Sequence, residues 1–115
     1  MMMLADVEGG IEEMLMARAK WKNPNADLIK AVQDHTDQII DFYEKVEYDQ
    51  PVIELDFQRQ QIQAYHYEEY KVRLSKESQV VLDEEYKKAM DEDKILVLVW
   101  DEATQRLLTT TFDYD

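Results

Sequence analysis

Cysteine is absent from this 115-residue chain, and glycine, proline and histidine occur only twice each. Each scarcity removes a class of chemistry. Without cysteine there is no disulfide framework, no thiolate metal site and no thiol nucleophile. The two glycines, Gly9 and Gly10, are adjacent and cannot supply a glycine-rich phosphate loop. His35 and His66 lack the H-E-x-x-H spacing of a zinc protease, and Ser75 and Ser78 sit on no glycine-flanked strand-to-helix elbow where a Ser-His-Asp nucleophile would stand. Carboxylate pairs such as Glu54 with Asp56 occur in any acidic protein and do not by themselves indicate acid-base chemistry. The chain therefore reads as a binding protein rather than an enzyme.

Long apolar runs are missing too. No 18 hydrophobic residues follow one another, and Met1 to Leu4 is too short for a signal-peptide core and is followed by Asp6 and Glu8. A soluble, untargeted, cytoplasmic protein is expected, with no membrane contact. There is no internal repeat, low-complexity tract or Pro/Ser-rich linker. At 45% hydrophobic residues the chain suits one compact domain, with residues 1–10 as a loose arm and residues 11–115 as the folded unit.

Positive charge is the remaining scarcity, and it exposes what is abundant. Thirteen Lys and Arg face 26 Asp and Glu, for a net charge of −13. Between Asp34 and Tyr70 ten acidic residues meet only Lys45 and Arg59. A field of that sign disfavours direct nucleic-acid binding, since phosphate contacts need Lys and Arg. It favours a cationic partner, either a basic protein surface or a metal ion.

The apolar pattern predicts an α+β fold. Ile11, Leu15 and Ala19 keep helical spacing over residues 11–21, and Asn23-Pro24 then offers an N-cap followed by a pre-organised first helical position. A second helix should run to about Val46 through Leu28, Ile29, Val32, Ile39 and Tyr43, forming an antiparallel hairpin with the first. From Pro51 the period becomes two. Ile53, Leu55 and Phe57 alternate with Glu54, Asp56 and Gln58 as a half-buried strand, and the alternation from Gln61 to Leu74 reads as a long strand, or as two broken near Glu68-Glu69. Ser75 caps a third helix to about Met90, with Asp83–Lys87 and Glu84–Lys88 at i,i+4 spacing. Ile95 to Trp100 is apolar on both parities and belongs at the centre of a sheet, and a final strand from Leu107 to Phe112 returns antiparallel to it. The expected order is αα-ββ-α-ββ, with an antiparallel sheet of about four strands and one inserted helix.

Three constellations could carry function. Asp34, Asp37, Asp41 and Glu44 share one stripe of the second helix, opposite its apolar side, with no basic residue facing them. The stripe spans about 15 Å, roughly one charge per 5 Å against one per 3.4 Å along a DNA strand. Tyr65, Tyr67 and Glu69 should share the more polar face of a strand, a mixture suited to a protein interface, whereas His66 shares the apolar parity and is expected to be buried. Asp91, Glu92 and Asp93 follow a helix end and should meet Asp113 and Asp115 once the last hairpin forms, a set of oxygens that could hold calcium despite lacking EF-hand spacing.

These features lead to a small acidic module that docks Asp34, Asp37, Asp41, Glu44, Tyr65, Tyr67 and Glu69 on a basic protein. Its sharpest form is an inhibitor or immunity-type protein whose carboxylates stand in for nucleic-acid phosphates. The alternatives are a calcium-binding or calcium-buffering protein using the Asp91 to Asp115 cluster, or a structural subunit of a larger assembly.

Overall fold

The computed structural model describes residues 20–47, 50–102 and 104–113. The arm expected over residues 1–10 and residues 11–19 of the first expected helix lie outside them, and with them the expected hairpin.

Eight elements follow in order: α1 (Pro24–Asp34), α2 (Thr36–Lys45), β1 (Val52–Asp56), β2 (Gln61–Tyr65), α3 (Tyr67–Lys71), α4 (Lys76–Glu92), β3 (Lys94–Asp101) and β4 (Arg106–Asp113). The class is α+β, as expected. The strands form one sheet in the order β2-β1-β3-β4. It is mixed rather than wholly antiparallel: β1 pairs β2 antiparallel and β3 pairs β4 antiparallel, but β1 and β3 run parallel, with Ile53 beside Val97 and Glu54 beside Leu98. Between those two central strands the chain passes through β2, α3 and α4, enough residues for the crossover that a parallel pair needs.

Strand alternation sends side chains to two packed faces. One receives Ile53, Leu55, Ile95, Val97, Val99 and Leu108, covered by Leu28 and Val32 of α1 and Ile39 of α2. The other receives Val52, Leu96, Leu98 and Leu107, covered by Tyr70 of α3 and by Leu82 and Ala89 of α4. This double cover explains why β3 reads as a continuous apolar run. Each fully buried Leu, Ile or Val contributes about 1.5–3 kcal/mol relative to exposure.

Local chemistry sets the helix ends. Asn23 accepts from the Ala26 N–H, Pro24 takes the first helical position, and the Asp27 carboxylate accepts from the backbone N–H groups of Lys22 and Asn23 at 2.8 and 2.9 Å. Trp21 packs edge-to-face on Phe57 with centroids 4.9 Å apart, tying this start to the end of β1. Ser75 caps α4 as expected, accepting from the Ser78 N–H.

The single helix expected from Asn23 to Val46 is interrupted at His35, whose φ of −128° and ψ of 27° are not helical. The His35 N–H bonds to the Val32 carbonyl, and its imidazole Nδ1 donates to the Ala31 carbonyl at 2.9 Å. The side chain takes the acceptor that the next helical bond would have used, and the helix restarts at Thr36.

A second correction concerns the alternation after Gln61. It is a strand only to Tyr65; Tyr67–Lys71 is a short helix, α3. His66, expected to be buried, is exposed at its N-cap. Glu68 and Glu69 in the first turn and Lys71 in the last complement the helix dipole, a helical signal that the alternation masked. The strand around Glu54, expected to be half-buried, is covered on both sides because α3 and α4 lie over its second face.

Scarce glycine leaves its mark on the turns. Gln60 in the β1–β2 turn, Gln105 in the β3–β4 turn and Asp93 at the end of α4 all take left-handed backbone, with φ of 54°, 55° and 61°. Only glycine adopts that region without a Cβ penalty.

Candidate functional site

The anionic stripe is built from two helices. Asp34 ends α1, and Asp37, Asp41 and Glu44 lie on α2 at i, i+4, i+7 spacing, within about 60° of one another and opposite the buried Ile39. All four are exposed. Ile39, Ile40, Phe42 and Tyr43 hold the other side of α2 against the sheet, so the amphipathic pattern itself turns the carboxylates outward.

One expectation about the stripe fails. Asp34 is faced by a cation: its carboxylate bridges Lys30, one turn back on α1, at 3.0 Å. Asp37 and Asp41 differ, because among the described residues neither makes an ion pair or a side-chain hydrogen bond. The break at His35 thus separates a neutralised Asp34 on α1 from the unpaired Asp37 and Asp41 on α2.

The tyrosine constellation is not the strand face that alternation suggested. Tyr65 is on β2, Tyr67 and Glu69 are on α3, and of the three only Glu69 is exposed. Tyr67 stacks on Tyr86 of α4 with centroids 4.2 Å apart and 17° between planes, and its hydroxyl donates to Asp83. Asp83 also bridges Lys71 at 3.0 Å rather than the expected Lys87. These contacts fasten α3 onto α4. Tyr65 faces Tyr70, with centroids 5.3 Å apart, and the Arg73 guanidinium lies over both rings at 4.9 and 5.3 Å.

Beneath those rings is Glu54, a residue that sequence reasoning placed on the solvent side. It is only 7% exposed and accepts the Tyr70 hydroxyl at 2.7 Å. Its pairing opposite Gln63 and beside Leu98 puts it on the face that α3 and α4 cover. Burial pushes the Tyr70 phenol well above its ordinary 10.0, the nearby Glu54 charge and the hydrogen bond to it push the same way, and Arg73 opposes them. Hydrogen bonding to Tyr65 raises the pKa of Arg73, so the guanidinium stays charged over the rings. The group is an internal ion-dipole network: a buried carboxylate held by a phenol, with a cation close by.

The sheet separates the two constellations. The acidic face belongs to the α1–α2 layer, whereas Tyr65, Tyr67 and Tyr70 pack in the α3–α4 layer. They therefore do not form the single docking surface that the sequence suggested.

The carboxylates around residues 91–115 are organised by a cation already present in the chain. Lys94 lies 3.4 Å from Glu92 and 4.0 Å from Asp113, which β3–β4 pairing sets opposite it. Asp91 and Asp93 are exposed, and Asp115 is outside the described residues. Among the described residues no group of three or more His, Cys, Asp or Glu side chains is placed to hold a metal ion. None of the described helices is long and apolar enough to cross a membrane. In comparisons with protein-family models, curated proteins and solved structures, the chain matches none.

Proposed function

We propose that this protein is a binding module that docks the anionic face of α2 on a basic protein surface. The observation that carries the reading is the state of Asp37 and Asp41: exposed, aligned with Glu44 on one helix face, and without an ion pair among the described residues. A helix that only needed solubility could offset its own charge, as α1 does where Asp34 pairs with Lys30. Leaving Asp37 and Asp41 uncompensated adds self-repulsion, which a cationic partner would relieve. Association should be electrostatically steered, fast and salt-sensitive.

In its sharper form the partner's basic surface is a nucleic-acid groove, and the protein acts as an inhibitor or immunity-type protein. Carboxylates one helical turn apart along α2 stand in for phosphates, supported by the rigidity of a helix packed through Ile39 and its neighbours.

Octa-arginine is a defined cationic probe for the reading. In an NMR titration at low salt, amide shifts should concentrate at Asp37, Asp41, Glu44 and their helix neighbours and disappear as salt is raised. Shifts spread evenly over the acidic residues of α2, α3 and α4 would refute a dedicated face.

A further inference from the structure

The two edges of the sheet are unlike each other. β2 is five residues long and bears Gln61 and Gln63 with a hydrogen bond between them at 2.8 Å, and it continues directly into α3. β4 is eight residues long and pairs with β3 residue for residue from Arg106 to Asp113, without a bulge. It contains no proline or lysine, its centre is Thr109-Thr110-Thr111, and no other strand among the described residues pairs with its outer edge. Proteins commonly guard such an edge with a proline, a lysine, a bulge or a short strand, and β4 has none of these.

We propose that the outer edge of β4 pairs antiparallel with β4 of a second copy, joining two four-stranded sheets into one of eight strands. The strand is complementary to itself in that direction. Arg106 stands at one end and Asp113 at the other, so antiparallel pairing sets these unlike ends near each other on opposite faces of the joined sheet, whereas parallel pairing would set like beside like. A two-fold axis perpendicular to the sheet keeps each helix layer on its own side, so paired residues must share a face. Leu108, Thr110 and Phe112 share the α1–α2 face, and Leu107, Thr109, Thr111 and Asp113 share the other. The register that places Thr110 on the axis sets Leu108 opposite Phe112 and Thr109 opposite Thr111 of the second copy. Leu108 is in the core cluster of that face and Phe112 packs against it, so this register carries the apolar layer continuously from one copy to the next. Along β4 it brings only hydroxyl and apolar side chains together at the centre.

This surface is separate from the acidic α2 face, so its test does not depend on the partner of that face. Sedimentation equilibrium of the full chain over about a hundredfold range of concentration should show the mass rising from 13.7 kDa towards twice that value. The absence of native cysteine makes single-cysteine variants unambiguous reporters. Thr110→Cys should form a disulfide-linked dimer at least tenfold faster than Gln61→Cys on the β2 edge. Thr110→Lys, which sets like charges across the axis, should leave a folded monomer with an unchanged circular dichroism spectrum. A monomer at every concentration, with Thr110→Cys no faster than Gln61→Cys, would overturn the proposal. So would concentration-independent protection of the β4 amides in a monomer, which would show that the chain's own residues cover this edge.

Discussion

The two helix layers handle charge in opposite ways. On the α1–α2 side the residues packed between helices and sheet are apolar, Asp101 is buried at the end of β3 where it accepts from the Thr104 hydroxyl, and Asp37 and Asp41 of α2 stand outside, unpaired among the described residues. Under α3 and α4 two acids are absorbed: Glu54 is buried against Tyr70, and Asp83 is shared between Tyr67 and Lys71. A carboxylate that the fold uses is surrounded by donors contributed by other elements, and one left for a partner is not. By that criterion Glu54 and Asp83 serve the structure, whereas Asp37 and Asp41 are left to the proposed partner.

Removing the donor from the buried carboxylate should have the largest effect. Tyr70→Phe keeps the ring but leaves Glu54 buried without its hydrogen bond, and should cost about 1.5–3 kcal/mol in urea unfolding. Adding Glu54→Leu should recover most of that loss, because removing both polar partners is far milder than removing one. If Tyr70→Phe proved neutral, the distinction between the two layers would fall with it.

Alkaline pH tests the same node without mutation. The Tyr70 pKa is raised in the folded protein, so the folded state holds its proton at pH values where the unfolded state releases it. Its contribution to stability is complete below the ordinary value of 10.0 and falls as pH rises above it. Tm measured from pH 9 to pH 11 should therefore decline more steeply in the wild type than in Tyr70→Phe; parallel declines would show that Tyr70 is not the responsible group.

Smaller gains should come from the turns. Gln60→Gly and Gln105→Gly relieve left-handed backbone, and each should stabilise by about 0.5–1 kcal/mol, a rise of roughly 2–4 °C in Tm. These changes lie outside both charged groups and should leave octa-arginine binding unaltered.

Features encoded in short segments were legible in the sequence. The Asn23-Pro24 start of α1, the Ser75 cap of α4, the central position of β3 and its antiparallel return through β4 each follow from adjacent residues. Features that depend on distant residues were not. Glu54 alternates with apolar neighbours and reads as exposed until Tyr70, sixteen positions later, is folded over it. The parallel pairing of β1 with β3 likewise depends on how the intervening elements return. The break at His35 rests on one imidazole bonding to one carbonyl, with no glycine or proline to mark it. The α2 acids were legible because helical spacing alone sets their common face, although the counter-ion of Asp34 was not.

The most direct test of the α2 reading compares two triple variants that remove the same number of charges. One carries Asp37→Asn, Asp41→Asn and Glu44→Gln on α2, and the other Glu77→Gln, Glu84→Gln and Asp91→Asn at exposed positions of α4. The quantity to measure is the affinity for octa-arginine at low salt by isothermal titration calorimetry, with Tm confirming that both variants are folded. The expected result is at least a tenfold loss in the α2 variant and less than a threefold change in the α4 variant. Equal losses would mean that net charge alone attracts the cation and would contradict a dedicated binding face on α2.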